Sequence, residues 1–272
     1  MGKLFIVATP IGNLGDITLR AIDTLKQVAL VACEDTRVTR VLLQKYDIKT
    51  PTTSYAEHNK LQKLPHLIDQ LRSADVALVS DAGMPGINDP AYELVNECIK
   101  SGVEVTIVPG PSAVLSALVA SGLPTDQFTY AGYIPRSAGE RRTFLETTLN
   151  ERRTVVLLET PHRLADSLAD ILDIAGDRHI AVCRELTKLH EEIFRGSVSQ
   201  AIEYFKEPRG EFTLVISGRP AADTVPDEAI LARLKELTSA GKPKSEAVKD
   251  VTAEFKTPRK RAYQISLQLD KQ

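Results

Sequence analysis

Residues 76–90 read VALVSDAGMPGINDP, and this stretch limits the fold more tightly than any other. Val76, Ala77, Leu78 and Val79 form a short apolar run with the character of a strand buried on both faces. Residues 81–86 follow as a loop holding two glycines and a proline, more than a simple reversal of the chain needs. Asp89 then suits a helix N-cap and Pro90 the first helical position. A conformationally special loop therefore stands where a buried strand hands over to a helix. In parallel α/β sheets that place lies outside the carboxyl end of the strand, where ligands bind.

The same unit recurs on both sides. Residues 4–8 predict a first strand, then the turn-rich loop TPIGNLG. Asp16 predicts a cap for the next helix, whose apolar stripe is Ile17, Ala21, Ile22, Leu25 and Val28. A second buried strand over 28–33 ends in EDTR, with a helix to about Tyr46, and a further helix covers about 61–72. After the 76–90 stretch, a helix over 90–101 is closed by Gly102, and a strand over 103–108 runs into PGPSA. A last helix runs from Ser112 to Gly122. Strand–loop–helix units of this length make a mostly parallel sheet with helices on both faces. Four strands thus end in TPIGN, EDTR, SDAGMPG and PGPSA, and a parallel sheet sets these ends along one rim.

The rhythm changes after Leu123-Pro124-Thr125-Asp126. Strands are expected over 128–134, 154–158, 180–184, 193–197 and 212–217, and helices over about 138–149, 163–174 and 198–205. The short link between the strands at 180 and 193 predicts antiparallel pairing. The expected organisation is an α/β protein: a mostly parallel α/β domain over 1–122, a second α/β domain with a mixed sheet over 123–221, and a small helical domain over 226–272. A linker of small residues covers 221–226. The tail reads as helices over 227–240 and 244–255, with a third capped by Thr257 and carrying Pro258 at its first position, a helix-turn-helix-like pattern that a three-helix plug also satisfies.

Net charge is −2, yet the last 47 residues, 226–272, carry ten Lys and Arg against seven Asp and Glu. A basic tail on an acidic body suits a polyanionic partner and equally a solvated helical tail. No apolar run approaches the roughly 18 residues of a membrane span, and the apolar start leads straight into a motif, so neither a membrane segment nor a signal peptide is expected. Cys33, Cys98 and Cys183 are widely spaced and form no metal or disulfide pattern, which fits a reducing cytoplasm. No dinucleotide fingerprint, P-loop, nucleophile elbow or zinc motif occurs, and the five histidines lack ligand spacing, so no metal is expected. What remains is a rim of glycines, prolines and small residues that brings backbone N–H and C=O groups close to a ligand. Such a rim suits adenine or an amino-acid moiety better than a pyrophosphate. S-adenosyl-L-methionine has that character.

TPIGNLGDIT, EDTR, SDAGMPGINDP, PGPSA, ETPHR, RELTK and RGEFTLVISG occur in this order over nearly the whole chain. Together they resemble the tetrapyrrole-methylase superfamily of S-adenosylmethionine-dependent methyltransferases. Within it they are similar to the branch that methylates the ribose 2′-oxygen of a cytidine in 16S ribosomal RNA. Porphyrin methylases usually carry GDP where this chain has SDAGMPG, and PGI or PGV where it has PGP, a departure that argues against a tetrapyrrole acceptor.

The resemblance implies a cofactor cleft between the two α/β domains and a homodimer. It assigns cofactor contacts to Pro10, to Asp81, Ala82, Gly83, Met84 and Pro85, and to Ser112 and Ala113. The second domain would add Leu158, Glu159, Arg184, Glu185, Phe212 and Thr213. A ribose hydroxyl is a poor nucleophile, so a base to take its proton is wanted. The candidates are Asp35, Glu159, His162 and Glu185, each with a structural alternative: Asp35 holding Arg37, Glu159 pairing with Arg163, His162 capping a helix, Glu185 fixing Arg184. For the RNA of the small ribosomal subunit the candidate contacts are Arg37, Arg136, Arg141, Arg142, Lys256, Arg259, Lys260 and Arg261. Solvated surface charge accounts equally for any one of them.

Overall fold

The computed structural model describes residues 1–220, 225–255, 257 and 259–271, and these fall into two compact units, Met1–Gly218 and Arg219–Gln272. Lys256, Pro258 and most of the linker expected over 221–226 lie outside the described residues.

The first unit holds two five-stranded sheets. The first sheet is built from β1 (Lys3–Val7), β2 (Leu30–Cys33), β3 (Thr52–Ser54), β4 (Val76–Val79) and β5 (Glu104–Val108). Their order is β3-β2-β4-β1-β5 and every pairing is parallel, so the carboxyl ends of all five strands share one rim. The four residues of β4 are all buried, as an apolar run in the middle of a parallel sheet must be. The helices α1 (Leu19–Gln27), α2 (Thr36–Lys45), α3 (Lys60–Gln70) and α4 (Ala91–Lys100) cover the two faces. One face buries Ala21, Leu25, Val31, Leu42 and Val79, the other Leu4, Leu67, Leu78 and Leu94. Each buried Leu contributes about 1.5–3 kcal/mol.

Three local details differ from expectation. Thr18, not Asp16, caps α1, its side chain accepting from the Ala21 N–H, because residues 14–16 first make a separate 3-10 turn. Helix α4 starts one residue later than expected, and the Asp89 carboxylate accepts the N–H groups of both Gly86 (2.7 Å) and Ala91 (2.9 Å). Strand β3 has no apolar signature; three polar residues on the sheet edge suffice because only one neighbour must be paired.

The second sheet contains β6 (Phe128–Tyr133), β7 (Thr154–Glu159), β8 (His179–Arg184), β9 (Glu192–Ser197) and β10 (Phe212–Ile216) in the order β6-β7-β10-β8-β9. It is mixed: β6 and β7 are parallel and the other pairs antiparallel, including β8 with β9. Helix α5 (Ala113–Ser121) precedes this sheet in the chain yet packs on it, burying Ala117 and Leu118 against Val156, Ala181 and Val215. The other face is closed by α6 (Ala138–Thr148), α7 (Pro161–Ala175) and α8 (Val198–Tyr204) over Leu145, Leu157, Leu168 and Leu214.

The second unit is a bundle of α9 (Asp227–Ser239), α10 (Lys244–Glu254) and α11 (Arg259–Ser266) around Ile230, Leu234, Val248, Val251 and Ile265. No helix among the described residues is long and apolar enough to cross a membrane.

Candidate active site

The four loops expected on one rim are stitched together there. Thr9 and Gly83 exchange backbone hydrogen bonds of 2.9 and 3.1 Å, joining the loop after β1 to the loop after β4. The exchange needs Gly83 at φ 78°, a left-handed conformation that glycine adopts freely. The Asp35 N–H donates to the Asp81 carboxylate at 2.9 Å, which ties in the loop after β2. A Cβ on Gly110 would stand 3.0 Å from that of Ala8, so the loop after β5 lies hard against β1.

The second sheet presents its own rim. Register sets Thr213 beside Leu158 and Cys183, and Phe212 beside Glu159 and Arg184. Five of the six cofactor candidates of this half therefore form two adjacent rows across β7, β10 and β8. Glu185 is the next residue in the chain. The loop after β8 is strained: Glu185 and Thr187 both have positive φ, 49° and 68°, which a β-branched residue rarely tolerates. Thr187 Oγ1 accepts the Asn13 N–H at 3.1 Å, and a Cβ on Gly12 would come within 2.4 Å of Lys188 Cγ. From the other loop, Asn88 donates its side-chain amide to the Tyr130 hydroxyl at 2.5 Å. The two rims are thereby joined at two places, with Pro10, Ala82, Met84, Ser112 and Ala113 on the loops of the first.

The acids at the rims differ in what holds them. Asp35 is gripped by Arg37, with contacts down to 2.6 Å; these hydrogen bonds hold its carboxyl down at about 2. Glu159 is fully enclosed, accepting from Ser167 Oγ (2.5 Å) and the Thr160 N–H (2.7 Å), with Arg163 2.7 Å away. Glu185 is partly buried, which by itself would raise its proton affinity. The Glu211 N–H and the Lys188 ammonium outweigh that and leave it below the usual range. Asp81 is raised by burial, with the Asp35 N–H opposing. His162 is exposed on the first turn of α7.

Two further acids and a ring were passed over in the residues. Glu34 follows the last residue of β2 and is half-buried; burial, then the charges of Asp81 and Asp89, raise its carboxyl, with the Asp81 N–H opposing. Tyr133, at the end of β6, is 55% exposed. Asp89, read only as a cap, is raised by burial as well. Nothing local in EDTR or AGYIP distinguishes these positions; only the surroundings do.

The basic candidates divide. Arg37 and Arg136 are exposed near the rim ends of β2 and β6, Arg37 leaning on Asp35. Arg141 is buried against Asp170 at 2.6 Å, and Arg142, its side chain 42% exposed, bridges Asp170 and Asp173, so both fasten α6 to α7. Arg184 donates to the Arg209 carbonyl and faces Glu192. In the second unit Arg259 and Lys260 are exposed, while Arg261 is tied to Asp227 and the Val225 carbonyl. A cavity of about 700 Å³ lies at the opposite end of the second sheet, among Pro124, Gln127, Asn150, Arg153, Ser217 and Gly218, and no candidate residue lines it.

The family described as Tetrapyrrole (Corrin/Porphyrin) Methylases matches residues 3–202. The chain belongs to this family. As a tetrapyrrole-methylase family member it has a relative from Synechocystis sp., named Ribosomal RNA small subunit methyltransferase I, that is 44% identical over 276 residues and matched over 99% of both chains. A relative of the same name from Thermotoga maritima is 52% identical over 222 residues, covering 80% of this chain and 100% of its own length. Solved structures share the fold at low identity: uroporphyrin-III-C-methyltransferase from Thermus thermophilus (TM-score 0.58, 19% identity, 80% of this chain and 94% of that one) and diphthine synthase (0.61, 13%, 79% and 90%). Family membership implies a methyl donor. The rims fit one without phosphate: they offer backbone groups and the apolar Ile11, Met84 and Leu158, while Arg163, Arg184 and Lys188 are already paired with carboxylates.

Proposed function

We propose that this chain is a methyltransferase that moves a methyl group from S-adenosyl-L-methionine to the ribose 2′-oxygen of a cytidine in the 16S RNA of the small ribosomal subunit, in the cytoplasm. What carries the reading is the end-to-end match to a relative named as a methyltransferase of small-subunit ribosomal RNA, on a chain whose seven motifs sit at two joined rims. The cofactor supplies an electrophilic methyl group when bound. Pro10, Asp81, Ala82, Gly83, Met84, Pro85, Ser112 and Ala113 would hold it from one rim, and Leu158, Glu159, Arg184, Glu185, Phe212 and Thr213 from the other, most of them through backbone.

The protein's own task is then to place the acceptor oxygen in line with that methyl group and keep water out, which accounts for a large share of such a rate enhancement. Pairing of the rims through Asn13–Thr187 and Asn88–Tyr130 fixes the spacing on which that alignment depends. Arg37 and Arg136 at the rim, with Arg259 and Lys260 in the helical unit, supply charge for RNA phosphates. A homodimer is supported by the open edge strand β5 and the helix after it, which leave Ile107, Leu115 and Val119 half or more exposed.

Mapping ribose methylation on 16S RNA from cells with and without the gene tests the reading. Loss of one cytidine 2′-O-methyl, restored by the purified protein with S-adenosylmethionine, is expected. An unchanged map would refute it.

A further inference from the structure

The two joints between the rims differ in kind. At Asn13–Thr187 the donor is a backbone N–H, the Thr187 N–H is itself held by Glu191 at 2.5 Å, and Gly12 packs against Lys188 with no room for a Cβ. At Asn88–Tyr130 both partners are side chains, joined by a hydrogen bond of 2.5 Å. The path of the chain fixes the first joint; rotation about side-chain bonds makes or breaks the second. The surroundings favour its being made. Strand β6 carries a bulge between Tyr130 and Gly132, and a bulge re-aims the side chains beside it. Gly132 has φ 80° and lies against the Asn88 amide, where a Cβ would stand 3.3 Å from Asn88 Oδ1 and 3.4 Å from Nδ2. Asn88 has φ 63°, a left-handed conformation that asparagine tolerates better than most residues. The Tyr130 ring shares one apolar cluster with Ile11 from the loop after β1, Ala113 at the start of α5 and Leu186 from the loop after β8. Burial pushes its phenol up to about 12, so it stays protonated at neutral pH. With Asn88 on its hydroxyl, one residue of the second sheet gathers four of the motif loops.

Residues 81–85 are the longest run of donor contacts in the methyl-transfer reading, and Asn88 stands three residues beyond them. The near end of this loop is bonded to the first sheet's own loops, Gly83 to Thr9 and Asp81 to the Asp35 N–H. Its far end is shaped by Asp89, which accepts the Gly86 and Ala91 N–H groups, and is tied to the second sheet by Asn88. We propose that Asn88 and Tyr130 are positioning residues for the methyl donor: their hydrogen bond holds the loop after β4 closed against the second sheet, and so sets how tightly S-adenosylmethionine binds. The proposal rests on the methyl-transfer reading above. A loop closed for only part of the time weakens apparent affinity by the fraction closed. The Asn13–Thr187 joint does not depend on this pair and keeps the rims together when the pair is broken.

Y130F and N88G test this. The first removes the hydroxyl and keeps the ring in its cluster; the second removes the amide and keeps the positive φ. Calorimetry should show each variant binding S-adenosylmethionine about threefold to tenfold more weakly than wild type, the effect of one lost hydrogen bond. The double variant should bind no more weakly than either single one, because both remove the same contact. At saturating donor, the methylation rate of small subunits and the KM for subunits should stay within about threefold of wild type, a split that a merely structural role would not produce. Donor affinity within about twofold of wild type in both single variants, losses that multiply in the double variant, or a saturated rate down by more than about tenfold overturns the proposal. Wild-type protein that gives no heat with S-adenosylmethionine sinks the methyl-transfer reading instead, so the two failures are distinct.

Discussion

The Glu159 carboxylate and the Arg163 guanidinium lie 2.7 Å apart, joining the last residue of β7 to the first turns of α7, and the Glu159 side chain is wholly shielded from water. Ser167 and the Thr160 N–H take the remaining capacity of the carboxylate, and Arg163 also reaches the Ile134 carbonyl at 2.8 Å. A buried charge so fully engaged organises the strand end; it is not positioned to accept a substrate proton.

Breaking this pair should therefore cost stability first. R163M leaves a buried carboxylate without its cation, and removing one partner of such a pair costs about 3–5 kcal/mol. Urea unfolding should show the midpoint fall accordingly while the slope stays near wild type. A loss below about 1 kcal/mol would mean that the carboxylate is satisfied without Arg163.

Gly210 is a second place where the rim is rigidly specified. Its φ is +85°, and a Cβ there would stand 2.4 Å from Glu185 Cγ. G210A has to adopt an unfavourable backbone conformation and push Glu185 aside, for about 1–3 kcal/mol in strain. Because Glu185 accepts the Glu211 N–H next door, the disturbance reaches the rim. Weaker S-adenosylmethionine binding by calorimetry, alongside a lower unfolding midpoint, is the expected pair of results; unchanged binding would detach this loop from the cofactor.

These cases show where the residues speak for themselves. The alternation of apolar runs and turn-rich loops specifies nine of the ten strands among the described residues, most plainly β4 and β10, where burial on both faces leaves an unbroken apolar mark; β3, three polar residues on an edge, leaves none. The common rim follows from parallel pairing alone. What charge pattern misjudges is ownership. Arg141 and Arg142 read as candidate RNA contacts, yet Asp166, Asp170 and Asp173 stand one helical turn apart on α7 and pair with them. That pairing spans about 30 residues and becomes visible only once α6 lies on α7. Glu34 is the converse: its dipeptide with Asp35 looks uniform, and the fold pairs Asp35 with Arg37 while no ion pair reaches Glu34 among the described residues.

The helical unit Arg219–Gln272 should be separable from the rest. It has its own apolar core, and the Thermotoga relative is matched along its whole length by 80% of this chain, leaving a share about the size of that unit. A protein ending at Gly218 should fold and bind S-adenosylmethionine within about threefold of full length. Its KM for small subunits should rise, and the salt dependence of RNA binding should flatten as the Arg259 and Lys260 phosphate contacts are lost. Unchanged KM and salt slope would remove the unit from RNA recognition.

Leu115 and Val119 lie one turn apart on α5, exposed by 53% and 73%. If a second copy covers them, a charge there faces an apolar surface and has to be desolvated. V119E should shift the sedimentation coefficient from dimer to monomer without lowering the unfolding midpoint of the monomer. A species of the same size in both proteins would place the interface elsewhere or abolish it.

Glu34 also predicts how stability depends on pH. Burial and the charges of Asp81 and Asp89 raise its folded-state proton affinity above the unfolded value of about 4.3. Between the two values the folded chain binds more protons than the unfolded chain, so this group lowers stability as pH rises through that window. E34Q removes the effect. The variant and wild type should be equally stable below about pH 4, where Glu34 is protonated in both states. Above the folded-state value E34Q should be the more stable protein, by a margin that no longer changes with pH. Asp81 and Asp89 remain in both proteins, so their titration cancels to first approximation. Paired urea titrations from acid to neutral pH measure the difference directly. A wild type as stable as E34Q at neutral pH would show that Glu34 is not held against its own ionisation. The opposite result would identify a residue that costs the fold stability by being held ionised in a partly buried site.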